Sequence, residues 1–194
     1  MEKKDQTENI IKETAKKLFF KEGRFNATTQ EIADAANVNR TLINYYFRSR
    51  NNLFKIVFEE AVSIDELKRE TIMNSDSDFK DKISDFIDFS LEMNLEYPYL
   101  DTYIVSQINQ GITYKRSSIK EKSDNFFKIV EDAMEKGLIE KMEPIQFLLN
   151  MISLINFPMA MRPLLQENLH ISDSEYKRIL KERKEIILKT LFKN

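Results

Sequence analysis

The chain has 194 residues, enough for one sizeable domain or two small ones, and 32% of them are charged with a net charge of only −2. It contains no cysteine, which excludes disulfide bonds and thiolate metal sites. The first twenty residues are charged throughout and lack the apolar stretch of a signal peptide, so we expect a cytoplasmic protein.

Charge is unevenly distributed along the chain. Residues 1–50 contain ten Lys and Arg against seven Asp and Glu, a net of +3, which leaves −5 for the remainder. A positive N-terminal segment favours contact with phosphate groups. A solvated first helix with alternating Lys and Glu would give the same count, so charge alone indicates a region and not a function.

The spacing of apolar residues predicts helices almost throughout. Only three glycines and four prolines occur, and apolar residues recur three and four positions apart, which is typical of amphipathic helices and leaves no clear place for strands. We therefore predict an all-α fold. The predicted helices span residues 5–22, 28–36, 40–46, 50–69, 79–95, 98–110, 117–137, 143–167 and 172–192.

Two short helices joined by a tight turn follow the first helix. Gly23 can end the first helix, and Thr28 with Glu31 forms the capping pattern that starts the next one. Asn37 tolerates the left-handed conformation that a tight turn needs, and Asn39 can cap the third helix. This arrangement is typical of a helix-turn-helix, whose second helix enters the major groove of DNA.

The third predicted helix has two different faces. Ile43 and Phe47 lie four residues apart and share the inner face, and Tyr46 is also a candidate core aromatic. On the outer face Arg can bond guanine, Asn can pair with adenine and Thr can approach a thymine methyl, so the candidate reading residues are Arg40, Thr41 and Asn44. Hydroxyl groups, cations and helix N-termini can hold phosphates. The candidate phosphate-binding residues are Thr28, Thr29, Asn39, Tyr45, Tyr46, Arg48 and Arg50.

The run TTQEIADAANVNRTLINYYFRSRNNLF, residues 28–54, resembles the DNA-binding signature of the TetR family. The shared features are the Thr pair, Glu-Ile-Ala in the second helix, a basic residue at Arg40, and the aromatic run that ends at Phe47. The family pattern has Gly, Gly and Tyr where this chain has Asn37, Thr41 and Asn44. These departures bear on the operator sequence and not on the fold.

The resemblance covers about the first 60 residues and implies that the chain has two domains with different functions. It implies a three-helix, helix-turn-helix DNA-binding domain over residues 1–50. The remaining residues, 51–194, would form a helical-bundle domain for effector binding and dimerisation. Such a protein is a transcriptional regulator, by family default a repressor, that a ligand releases from its operator.

The C-terminal half contains a segment, residues 147–165, that is apolar on nearly every side and must be buried against more than one neighbour. Pro158, Arg162 and Pro163 interrupt it before it reaches the length of a membrane span, which argues against a membrane protein. The resemblance implies a homodimer through the last two helices. Two recognition helices would then lie about 34 Å apart and read a palindromic operator.

The effector is expected to be a small apolar or amphipathic molecule. Aromatic and Met stripes on helices are usually core, but Tyr99, Tyr103 and Gln107 share a face and combine bulk with polar ends. His170 lies in a predicted loop and is expected at the surface. The candidate ligand-binding residues are Phe89, Met93, Tyr99, Tyr103, Gln107, Phe127 and Met134.

Nothing in the sequence indicates an enzyme. The single histidine has no nucleophile motif beside it, three scattered glycines cannot form a phosphate loop, and a zinc site lacks ligands, so we expect no catalytic residue, metal or cofactor. The alternative function is a helical protein–protein interaction module without DNA binding. Replacing Arg40, Tyr45 and Arg50 would abolish salt-sensitive DNA binding in the regulator and change nothing in such a module.

Overall fold

The computed structural model describes residues 2–109, 111 and 119–193, and these residues lie in helices and the connections between them. The prediction of an all-α fold is confirmed. A π-helical turn, Lys17–Lys21, extends the first helix. The helices are α1 Glu2–Lys16, α2 Thr29–Ala35, α3 Arg40–Phe47, α4 Arg50–Met73, α5 Phe79–Glu96, α6 Leu100–Asn109, α7 Ile119–Glu135, α8 Pro144–Ala160, α9 Arg162–Leu169, α10 Asp173–Lys181 and α11 Arg183–Leu191.

The chain divides into two compact units. The first comprises Met1–Lys68 and Glu96–Tyr103, and the second comprises Arg69–Leu95 and Ile104–Asn194. The predicted domain boundary after residue 50 therefore falls inside the first unit, at the start of α4. The first half of α4 belongs there because its apolar side chains are buried in that unit. They are Leu53, Phe54, Val57, Phe58 and Ala61.

Ion pairs join α1 to α4 beside this core. The Nζ atoms of Lys12 and Lys16 lie 2.7 and 3.2 Å from the carboxylate of Glu60, and Lys16 is also 2.8 Å from Glu13. Burial disfavours the charge on Lys16, but its hydrogen bonds to the two glutamates outweigh burial and raise its pKa. The pairs fix where α1 lies along α4.

The π-helical turn at the end of α1 differs from the regular helix that was predicted to residue 22. Glu22 N donates to Lys17 O over 3.0 Å, the i to i+5 spacing of a π-helix. Leu18, Phe19 and Phe20 are consecutive, yet all three are buried. In an α-helix three consecutive side chains spread over about 200° of the circumference, so the wider π turn helps all three to face the core. Gly23, at φ +69°, ends the helix as predicted.

Residues 96–103 complete the first unit. Tyr99 N donates to Phe20 O over 3.1 Å, and the Tyr99 ring lies 3.2 Å from the place that a Cβ atom at Gly23 would occupy. The ring of Tyr103 lies 4.9 Å from that of Phe54. The start of α6 is therefore part of the core that supports α1 and α4.

The second unit is built around α5, α7, α8 and α11. Each helix contributes buried apolar residues to one cluster, which places the C-terminal helix in the centre of this unit. Lys184 on α11 also pairs with Asp88 on α5. The buried members of the cluster are Ile83, Ile87, Phe126, Val130, Ala133, Met134, Ile139, Phe147, Met151, Ile155, Ile187 and Leu191.

One predicted helix, residues 143–167, is two helices in the structure. Pro158 has no N–H, so the carbonyl of Leu154 loses its helical partner, and Arg183 donates to it over 3.2 and 3.1 Å from Nε and Nη2. Tyr176 donates to the Pro158 carbonyl nearby. The helix ends soon after, and α9 continues at 64° to α8, with Pro163 in its first turn.

Three further predicted features can be compared with the structure. The predicted helix 172–192 is interrupted at Glu182, and His170 is exposed at the end of α9, as expected. Residues 117 and 118 of the predicted seventh helix lie outside the described residues. No single helix among the described residues is long and apolar enough to cross a membrane; α8 and α9 reach that length only as a bent pair.

Candidate DNA-binding surface

The N-terminus of α2 is closed by a capping box, as predicted. Thr28 Oγ1 accepts from Glu31 N over 3.2 Å, and Thr28 N donates to Glu31 Oε2 over 2.7 Å. The hydrogen bonds from Thr28, together with the neighbouring Arg24 guanidinium, lower the pKa of Glu31. The box fixes the residue at which α2 begins, and it therefore fixes which backbone N–H groups are exposed at the start of the helix.

The turn between α2 and α3 also follows the prediction. Asn37 adopts the left-handed conformation, at φ +53°, and Val38 N donates to Ala33 O over 3.0 Å. Asn39 caps α3, because its side-chain oxygen accepts from Thr41 N over 2.9 Å and from the Thr41 hydroxyl over 2.7 Å. The two helices and this turn form a helix-turn-helix.

Helix α3 has a buried and an exposed face. Ile43 and Phe47 are buried, at 0% and 1% exposure, and hold the helix in the core of the first unit. The opposite side chains, Arg40, Thr41, Asn44 and Tyr45, are all exposed. The structure therefore brings the three predicted reading residues together with one predicted phosphate-binding tyrosine on a single surface.

Tyr46 lies at the edge of this surface. Its side chain is half-buried, and its ring is edge-on to that of Tyr45 at 5.1 Å between centroids. It also contacts Phe47, with centroids 6.1 Å apart. The ring packs against the core, as one interpretation of the sequence expects, and the phosphate contact of the other interpretation stays a prediction.

The first residues of α2 and α3 are linked directly. Arg40 Nε donates to the hydroxyl oxygen of Thr29 over 3.1 Å. Arg40 is exposed and Thr29 is half-buried. A residue predicted to hold phosphates thus contacts a residue predicted to read bases.

The start of α4 is held by two residues that were not predicted from the sequence, Ser49 and Asn52. Arg48 is exposed at φ +63° and ends α3. Ser49 then accepts from Asn52 N over 3.1 Å, and the Asn52 side chain donates to Phe47 O over 3.0 Å. Ser49 just before a helix is a capping signal that could have been found in the sequence.

Arg50 is placed differently from the other predicted phosphate-binding residues. Its guanidinium lies 5.1 and 5.3 Å from the rings of Phe19 and Phe54, and Nε donates to Ala27 O over 3.2 Å. Nη2 is buried without a hydrogen-bond partner among the described residues, and burial lowers the Arg50 pKa. Nη1 donates to Asn51 Oδ1 over 3.3 Å at the surface. Arg50 thus holds the chain that leads into α2, and its Nε and Nη2 atoms face inward.

The predicted ligand-binding residues fall in both units. Tyr99 and Tyr103 belong to the first unit, where Tyr103 also packs 4.7 Å from Phe25, and the other five belong to the second unit. Met134 and Phe127 take part in the core cluster of the second unit, while Phe89, Met93 and Gln107 are half-buried. Their role in binding a ligand stays a prediction.

Residues 11–57 match the sequence model of the family described as bacterial regulatory proteins, tetR family. The match runs from the middle of α1 into α4 and includes the whole helix-turn-helix. No curated protein is significantly similar to this chain in sequence. The family match and the exposed surface of α3 therefore fall on the same segment.

Several solved structures have the same fold. The ketosteroid transcriptional regulator KstR2 of Mycobacterium tuberculosis has a TM-score of 0.70 at 12% identity, over 96% of this chain and 95% of that chain. AibR, in complex with isovaleryl coenzyme A and operator DNA, has a TM-score of 0.68 at 13% identity, over 96% and 98%. A TetR family transcription regulator from Marinobacter aquaeolei VT8 has 0.61 at 13%, over all of both chains.

Proposed function

We propose that this chain, a member of the TetR family of bacterial regulatory proteins, is a sequence-specific DNA-binding regulator that represses transcription from a palindromic operator. One observation supports this most directly. Helix α3 presents Arg40, Thr41 and Asn44 on one exposed face, while its opposite face is anchored in the core. A rigid helix with base-reading side chains outward is what major-groove recognition requires.

Around this reading surface, a second group of residues would position the protein on the phosphates. The hydroxyl groups of Thr28, Thr29, Tyr45 and Tyr46, the Asn39 amide and the exposed Arg48 guanidinium can donate to phosphate oxygens. Arg50 faces the interior, so we assign it to holding the segment before α2. Phosphate contacts set the register of α3, and the reading residues then set the sequence preference.

We further propose a homodimer formed through α8 and α11, which belong to the last two predicted helices. Helix α8 contains no charged residue, yet Leu149 and Phe157 are 49% and 56% exposed. Ile186 on α11 is 46% exposed, and a cavity of about 310 Å³ lies between the two helices. A helix without charges that is half open to water is best covered by a second copy of itself.

The second unit would bind the effector. KstR2 is a ketosteroid regulator and AibR binds isovaleryl coenzyme A, which supports a small apolar or amphipathic ligand for this chain. Helix α4 continues from the first unit into the second, so a shift at its second half would move the recognition helix. A regulator of this kind acts on chromosomal DNA, which supports a cytoplasmic location, and no enzymatic activity is proposed.

The test is selection of bound DNA from a random pool by the full-length protein. We expect a palindromic sequence, bound in a salt-dependent manner, and we expect Arg40→Ala to weaken binding by roughly 10-fold or more because an Arg fork on guanine is worth ~1–3 kcal/mol. The matched control is Arg178→Ala, an exposed arginine on α10 that pairs with Glu182. Selection of no sequence, or equal effects of the two variants, would support the interaction-module alternative.

A further inference from the structure

Arg40 is the exposed cation at the start of the recognition helix, and its side chain is already held in the free protein. Its Nε donates to Thr29 Oγ1 over 3.1 Å, and Thr29 is the first residue of α2. A guanidinium carries five N–H donors, one on Nε and two on each Nη atom. Among the described residues, neither Nη atom has a hydrogen-bond partner.

We infer that Thr29 is a specificity-determining positioning residue, whose hydroxyl directs the Arg40 guanidinium so that its two Nη atoms point at a guanine. Arginine can approach the O6 and N7 atoms of guanine through Nε and one Nη, or end-on through both Nη atoms. The bond to Thr29 occupies Nε, so only the end-on approach remains open. The inference rests on the proposed function, because it assigns a role within the same reading surface.

The geometry explains how a neutral hydroxyl could alter sequence preference. An exposed arginine has many rotamers, and fixing it at the DNA costs conformational entropy. A side chain that is held in the free state loses less of that freedom on binding, which favours the correct base over others. Thr29 is half-buried at the first turn of α2, and the capping box fixes that turn through Thr28 and Glu31.

Two other roles for Thr29 lead to different results. A hydroxyl that only contacts phosphate would add the same affinity to every DNA sequence, since phosphates carry no sequence information. A hydroxyl that only braces α2 against α3 would add stability. Removing it would then lower the melting temperature and leave the relative affinities for different operators unchanged.

Thr29→Val has nearly the same shape and lacks the hydroxyl, and Thr29→Ser retains it. The measurement is the affinity of each full-length variant for the selected operator and for operators changed at one base pair. The position read by Arg40 is identified as the one at which Arg40→Ala loses discrimination. We expect Thr29→Val to lose about 3- to 10-fold of discrimination at that position alone, equivalent to roughly one hydrogen bond. Thr29→Ser should restore it.

The double variant Thr29→Val/Arg40→Ala isolates the link between the two residues. Since Thr29 acts through Arg40, the valine should change no relative affinity once the arginine is absent. A uniform change in affinity for all operators reflects only a lost phosphate contact and changes no discrimination. Discrimination that stays intact at the Arg40 position, an equal loss of discrimination at every base pair, a further loss of discrimination in the Arg40→Ala background, or a serine variant that behaves like valine would overturn the inference. A wild-type protein without sequence preference would instead overturn the proposed function.

A second measurement does not depend on DNA. The Nε–H signal of Arg40 in a proton–nitrogen spectrum of the free protein should be protected from solvent exchange in the wild type and in Thr29→Ser, and should lose that protection in Thr29→Val. Identical exchange in all three proteins would show that the bond does not form and would overturn the inference. Thermal melting of each variant identifies any loss of folding.

Discussion

Replacing Arg50 by methionine tests whether this residue holds the helix-turn-helix from inside or contacts phosphate from outside. In the structure its guanidinium lies between Phe19 and Phe54 and donates to Ala27 O, just before the α2 cap. Methionine keeps an unbranched stem between the two rings and removes the charge. Alanine removes both the charge and the stem, and so serves as the matched comparison.

The structure allows the two losses to be estimated. Arg50→Met forfeits the hydrogen bond to Ala27 O, worth ~1.5–3 kcal/mol for a charged donor, but removes a buried unpaired donor that costs ~1–3 kcal/mol, so the net loss is about 2 kcal/mol or less. Sulfur–aromatic contacts offset part of the lost cation–π attraction. Arg50→Ala additionally loses buried methylene groups at ~0.8 kcal/mol each, so the loss should exceed about 2 kcal/mol.

Denaturant unfolding and salt-dependent DNA binding provide the readouts. Because Arg50 faces inward, Arg50→Met should lower operator affinity only a few-fold and leave the slope of affinity against salt unchanged. A phosphate contact would give the opposite pattern. Full stability of both variants, together with a salt slope reduced by about 1, would show that Arg50 reaches the DNA and that its inward placement is wrong.

Two further predictions concern a cap and the dimer. The pKa of Glu31 is lowered in the folded state, so its contribution to stability is present above its ordinary pKa and is lost as the pH falls through the lower folded value. The melting temperature should therefore decline less below about pH 5 in Glu31→Gln, whose side-chain oxygen can still accept from Thr28 N. Glu31→Ala should melt at a lower temperature than the wild type at neutral pH, because Thr28 N loses its acceptor. An equal pH profile for the glutamine variant and the wild type would refute this. Phe157→Glu should raise the dimer dissociation constant by roughly 100-fold or more, as measured by sedimentation, because the dimer would bury an unpaired charge. The control is Leu138→Glu, at another exposed apolar position, which should remain dimeric. Equal dissociation constants for the two variants would exclude α8 from the interface.

The helix-turn-helix is the part of the structure that the sequence predicts best. Local chemistry decides its geometry, since Thr28 with Glu31 caps one helix, Asn37 makes the turn and Asn39 caps the next. Each of these signals involves residues at most three positions apart in the chain. The exposed face of α3 follows from them, because Ile43 and Phe47 can only point inward once the helix is placed.

Contacts between residues that are far apart in the chain could not be predicted from the sequence. Nothing near Arg50 in the sequence shows that Phe19 and Ala27 contact its guanidinium, so its position beside the DNA-reading helix predicts a phosphate contact instead. The spacing of the sequence places Tyr103 and Gln107 on one helix face, and the structure packs Tyr103 against Phe54 in the first unit. The sequence does contain a signal for the π turn, in the three successive apolar residues at the end of α1. It also contains a signal for the helix break, in Pro158 and Pro163.

The return of residues 96–103 to the first unit limits how the DNA-reading part could be exchanged between related regulators. A graft that ended at Lys68 would leave out the backbone bond from Tyr99 N to Phe20 O and the Tyr103 ring against Phe54. Such a chimera would present an unfilled aromatic surface in the transplanted part. A functional hybrid would have to carry two separate stretches of this chain, because the first unit is continuous in space and discontinuous in sequence.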